Sequence, residues 1–108
     1  MKTVLRHHFT GKPYVKVYND VARDTRLSFA ARGVLVDMLS RPPDWEFSAD
    51  RIAAGSPFEG RKAVLRCLRE MEACGYLRRF RERGSNGRIR TVVVVSDQPM
   101  SEDTWSAQ

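Results

Sequence analysis

The sequence predicts an α+β domain in which a three-helix core is followed by a C-terminal β-hairpin. Three observations carry that expectation. Apolar residues recur at three- and four-residue spacing in two separate stretches, 31–39 and 64–71. A turn signal, Gly84-Ser85-Asn86-Gly87, then separates two runs rich in strand-forming residues. A chain of 108 residues that is 42% hydrophobic suffices for one compact core.

The elements follow in order. Residues 1–13 are polar, without period, and read as a flexible arm. Tyr14, Val15, Lys16, Val17 and Tyr18 alternate and predict a short N-terminal strand. Asn19 and Asp20 can cap a helical turn reaching Arg23. Ser28 is an N-cap for a helix to Ser40, with Ala31, Val34, Leu35, Met38 and Leu39 inward, and Pro42 and Pro43 stop it. Trp45, Glu46 and Phe47 can form a small strand leading to Ser48, which caps a short helix over 49–54. The next helix starts at Pro57, from the Ser56-x-x-Glu59 pattern, or at Gly60. It runs to Cys74 before a left-handed cap at Gly75. Strands over 76–83 and 88–96 complete the hairpin, and residues 97–108 form a polar tail. That order is a winged helix-turn-helix over 14–96, with a recognition helix over 57/60–74 and a wing over 76–96.

Charge points the same way. Nineteen Lys and Arg against thirteen Asp and Glu leave a net +6. Between Gly60 and Arg90 stand ten cations and three acids, so this stretch carries +7 and the rest −1. Nine of the ten are arginine, whose planar fork of donors suits phosphate oxygens and guanine edges better than lysine's point charge. The long helix sorts its residues at about 100° per residue. Val64, Cys67, Leu68 and Met71 share one face; Lys62, Arg66 and Arg69 lie opposite, and Arg61 sits on the flank. On the hairpin Arg79, Arg81 and Arg83 alternate onto one face away from Phe80 and Glu82. Arg88 and Arg90 alternate likewise across the turn. Arginines facing one another cost stability, which implies an anionic partner that offsets the repulsion. Asn86 at the tip is first a turn former and second a hydrogen-bonding group for a base or phosphate.

Two quoted segments carry a resemblance. The first runs from Ser28-Phe29-Ala30-Ala31-Arg32-Gly33-Val34-Leu35 to Asp44-Trp45-Glu46-Phe47-Ser48. The second is Leu68-Arg69-Glu70-Met71-Glu72-Ala73-Cys74-Gly75-Tyr76-Leu77-Arg78-Arg79. Together they look like a helix-turn-helix family of actinobacterial, phage and plasmid proteins that includes winged-helix domains of replication initiators. The second also resembles winged-helix transcription regulators, whose recognition helix ends in Glu-x-x-Gly-aromatic-Leu. The resemblance implies sequence-specific binding of double-stranded DNA, with Arg61, Lys62, Arg66 and Arg69 at the recognition positions. The alternation and charge of the hairpin add Arg79, Arg81, Arg83, Asn86, Arg88 and Arg90 as the expected wing contacts. Leu65 departs from the pattern, leaving a thymine methyl or a protein neighbour as its contact.

The expected role is a cytoplasmic, nucleoid-associated transcriptional regulator, with a homodimer through the terminal segments 1–18 and 96–108. The alternatives are a replication-initiator or recombination accessory module, or a winged-helix domain gripping an acidic protein. No ligand-binding domain, cofactor motif or membrane-length apolar run is present. Adjacent His7 and His8 face opposite ways in an extended arm, and Cys67 and Cys74 lack further ligands at zinc spacing, so neither metal nor cofactor is expected. No nucleophile–base or paired-carboxylate pattern appears, and the chain is read as non-enzymatic.

Overall fold

Four helices precede one antiparallel hairpin in a computed structural model, which describes residues 3, 13–43 and 45–101. The expectations placed on His7, His8 and Asp44 lie outside the described residues. The helices are α1 (Asn19–Ala22), α2 (Phe29–Leu39), α3 (Ala49–Ala53) and α4 (Arg61–Ala73), and the strands are β1 (Leu77–Arg83) and β2 (Ile89–Val95).

Local chemistry sets most of the helix ends. The Ser28 hydroxyl accepts from the Ala31 N–H at 3.1 Å, and the Ser48 hydroxyl accepts from the Arg51 N–H at 3.0 Å, so both serines cap as expected. The cap of α1 differs: extended Tyr18 precedes the helix and Asn19 lies inside its first turn. Gly60 is the N-cap of α4 and Arg61 its first residue. The start at Pro57 is not used, because Ser56 is spent on a turn of its own. Its hydroxyl accepts from the Phe58 N–H at 3.2 Å and bonds the Glu59 carboxylate. At the other end Gly75 adopts φ 87°, its N–H bonds the Glu72 carbonyl at 3.2 Å, and the Tyr76 N–H reaches Met71 at 2.9 Å. This is the paired bonding of a Schellman cap, sealed by contact between buried Tyr76 and Met71.

The hairpin register pairs Leu77 with Val95 and Arg83 with Ile89. Gly87 at φ 79° makes the turn, and the Asn86 amide oxygen accepts from the Arg88 N–H at 3.0 Å. Beyond β2 the chain folds back on this corner. The Ser96 N–H bonds the Tyr76 carbonyl at 2.8 Å, and the Met100 N–H bonds the Gly75 carbonyl at 2.9 Å. A Cβ on Gly75 would stand 2.6 Å from the Met100 carbonyl oxygen, so glycine is required there twice over.

Two expected strands are absent. Residues 14–18 and 45–47 join no sheet, which consists of β1 and β2 alone. Their alternation is nevertheless expressed as burial. Val15, Val17, Trp45 and Phe47 are half-buried while Lys16 and Glu46 are exposed. Side-chain alternation is satisfied by resting on the core, whereas a strand also needs a backbone partner, which these segments do not find. Trp45 and Phe47 instead line a groove beside Val93 and Val95 of β2.

The core is one cluster. Leu35 from α2, Ile52 from α3, Val64, Cys67, Leu68 and Met71 from α4, and Tyr76 and Leu77 at the base of the hairpin are buried together. Each fully buried large apolar side chain contributes about 1.5–3 kcal/mol, so this joint face of α4 holds the domain together. Among the described residues no helix is long and apolar enough to cross a membrane.

Candidate nucleic-acid interface

Helix α4 is held by its apolar face, and its basic face follows as the remainder. Val64, Cys67, Leu68 and Met71 are buried, while Arg61, Lys62, Arg66 and Arg69 are exposed. Leu65, left open by the sequence, packs against the edge of the core. Burial pushes the Cys67 thiol pKa up, which keeps it neutral and unreactive. Both cysteines are free.

The helix is fixed at its rear by two polar contacts. Glu70 accepts from the Ser28 N–H at 2.8 Å and from its hydroxyl at 3.0 Å, so α4 completes the cap of α2. The Tyr76 hydroxyl donates to Asp24 at 2.6 Å, and Asp24 also accepts from Arg26 through backbone and guanidinium. Arg26 and then Tyr76 hold the Asp24 carboxyl below the usual carboxylate range, and Asp24 raises the Arg26 guanidinium in return. Burial first, then the bond to Asp24, pushes Tyr76 up to about 12. Asp24, Arg26 and Glu70 were not singled out in the sequence. Partners 42 and 52 positions away leave no local signal.

Hydrogen-bonded register decides which hairpin arginines are available. Leu77, Arg79, Arg81 and Arg83 share the side that also carries Val95, Val93, Thr91 and Ile89. Leu77, Val93 and Val95 at its base pack on the helices. Arg79 meets Glu72 of α4 at 3.3 Å, so the arginine row starts at the end of α4 and continues through Arg81 and Arg83 toward the tip.

The expectation for the second strand is corrected here. Arg88 lies in the turn, and Arg90 stands opposite Glu82, which accepts from its Nε at 2.7 Å. No arginine of the two strands faces another arginine, because the connection between Arg83 and Ile89 is five residues long, 84–88, and sets a glutamate against Arg90. Repulsion across the hairpin therefore does not argue for a partner. Arg61 is likewise paired, with Asp50 of α3 at 3.3 Å. Such exposed pairs contribute about 0–1 kcal/mol and exchange readily with solvent.

Six cations remain. Lys62, Arg66 and Arg69 on α4, and Arg81, Arg83 and Arg88 on the hairpin, are exposed and make no ion pair with a described residue. Among the described residues no cluster of three or more His, Cys, Asp or Glu is placed to hold a metal. No family model matches the chain, and no curated protein or solved structure is significantly similar to it.

Proposed function

We propose that this chain is a winged helix-turn-helix protein that binds double-stranded DNA and acts as a transcriptional regulator. The observation that carries the reading is a set of six cations, without an ion-pair partner among the described residues, on two elements joined by the Gly75 corner. Folding makes no use of them, and each ion pair with phosphate releases condensed counterions. Helix α4 enters the major groove with Lys62, Arg66 and Arg69 forward, and Arg61 joins them on exchanging Asp50 for phosphate. Arg81, Arg83 and Arg88 grip the backbone or minor groove, with Arg79 and Arg90 as reserves behind ion pairs. Asn86 acts as a turn former, its oxygen being engaged by Arg88.

The division of labour is that the hairpin supplies affinity and α4 the choice of sequence. Titration of the chain against a randomised duplex pool at rising salt tests both parts. Arg81→Ala with Arg83→Ala is expected to weaken all duplexes alike and lower the salt slope by about two. Arg66→Ala is expected to weaken selected duplexes more than random ones. Absence of binding at low salt overturns the reading.

A further inference from the structure

Helix α2 carries a surface that the nucleic-acid reading leaves unused. Its sequence, Phe29 to Leu39, is apolar on nearly every side, a composition normally found in helices covered all round. Only Ala31, Val34, Leu35 and Met38 are buried. Phe29 is 84% exposed, Ala30 and Gly33 are exposed, and Val36 is 37% exposed. Beside this face runs an open groove floored by Val34, Ile52 and Val64 and rimmed by Asp37 and Glu59.

Gly33 is the telling residue. A glycine inside a helix weakens it, and it is ordinarily kept for a close approach. Here a Cβ at Gly33 would meet none of the described residues within 4 Å, so their packing makes no use of the missing side chain.

We infer that this face of α2 is the contact between two copies of the chain, crossing at Gly33 with Phe29 of each copy seated in the groove of the other. A two-fold contact requires knob and socket on one patch, and both lie here. Charge fits the same arrangement. The Arg32 guanidinium lies over the Phe29 ring, 4.6 Å from its centre. Two of its nitrogens are bound to the Asp24 and Ala22 carbonyls, which leaves its third nitrogen for a neighbour. Phe29 thus brings a cation to a rim carrying Glu59, Asp37 being paired with Arg41 of its own chain at 3.1 Å. Apart from Val64, the patch lies in the part of the chain outside 60–90, whose net charge is −1, so two copies meet there without opposing their basic halves. Val64 lines the groove, and Lys62, Arg66 and Arg69 lie on the opposite side of α4. Pairing therefore leaves the basic face clear.

The inference does not depend on DNA binding and is tested without it. Sedimentation of the full chain between roughly 1 and 100 µM is expected to show the mass doubling from 12.4 kDa. Gly33→Gln and Phe29→Asp are expected to hold it at the single-chain mass. Because Gly33 stands in open space, Gly33→Gln keeps or raises the melting temperature, so loss of pairing cannot be misread as unfolding. Three results overturn the inference: a wild-type chain that stays single throughout, a pair that survives both substitutions, or a groove that takes only a different protein.

Discussion

Helices α2 and α4 are similar in length, yet they divide their residues in opposite ways. Helix α4 buries one face and loads the other with cations. Helix α2 buries one face and leaves apolar residues on the rest. In α4 water suffices for the outer side, although the absence of acids among its exposed residues from Arg61 to Arg69 leaves the charge there unbalanced. In α2 the pattern is incomplete in water. The comparison teaches that surplus charge and surplus apolarity are separate kinds of unfinished surface, and one chain can carry both on opposite sides of one core.

The largest effect expected on this contrast lies on the shared core. Leu68→Ala removes a buried side chain from the face where α4 meets the rest, and denaturant unfolding is expected to show a loss of about 2–5 kcal/mol. Glu70→Ala separates the two helices more gently, since it deletes both bonds to Ser28 while leaving the Ser28–Ala31 cap. A loss of about 1–2 kcal/mol is expected by the same measurement.

Tyr76→Phe is smaller near neutral pH, about 0.5–1.5 kcal/mol, and shows most clearly against pH. Tyr76 is raised from 10.0 to about 12 in the folded chain, so folding retains its proton where the unfolded chain releases it. That contribution is complete below pH 10, declines as pH rises, and is gone above about 12. Asp24 runs the other way. Its lowered carboxyl stabilises the fold above the ordinary carboxylate range, and the gain fades as acid protonates it. Stability curves of wild type and Tyr76→Phe are expected to converge at the alkaline end. Parallel curves there would show that the hydroxyl is not held as described.

Gly33→Ala reverses the sign. In dilute solution it is expected to raise stability by about 0.5–1 kcal/mol, because the site is helical and open. Arg66→Ala, at an exposed position with no ion-pair partner among the described residues, is expected to stay within about 0.5 kcal/mol of wild type in thermal melting. Its consequence belongs to binding.

What the sequence made legible follows the range of the forces involved. Ser28, Ser48 and Gly75 act on neighbours within a few residues, and each did as its type predicts. The apolar period placed Val64, Cys67, Leu68 and Met71 in the core for the same reason. The segments 14–18 and 45–47 were misread because a strand depends on a distant edge, and alternation cannot report whether that edge is free. Register decided the hairpin: residue types suggested arginines crowding one another, while a five-residue connection, 84–88, set Glu82 against Arg90. The Asp24–Tyr76 and Ser28–Glu70 links were invisible for the same reason, joining side chains that only the folded core brings together.

The corner at Gly75 has a mechanical consequence. Its left-handed backbone, the crowding against Met100 and the two backbone bonds from Ser96 and Met100 close the joint from both sides. A joint closed in this way behaves as a bracket rather than a hinge. The span from Lys62 to Arg83 is then a set length, like the gap of a caliper, and a partner touching both ends must bend to meet it. Cutting the chain before Met100 would loosen the bracket, and the fit would thereafter cost entropy in the protein instead of strain in the partner.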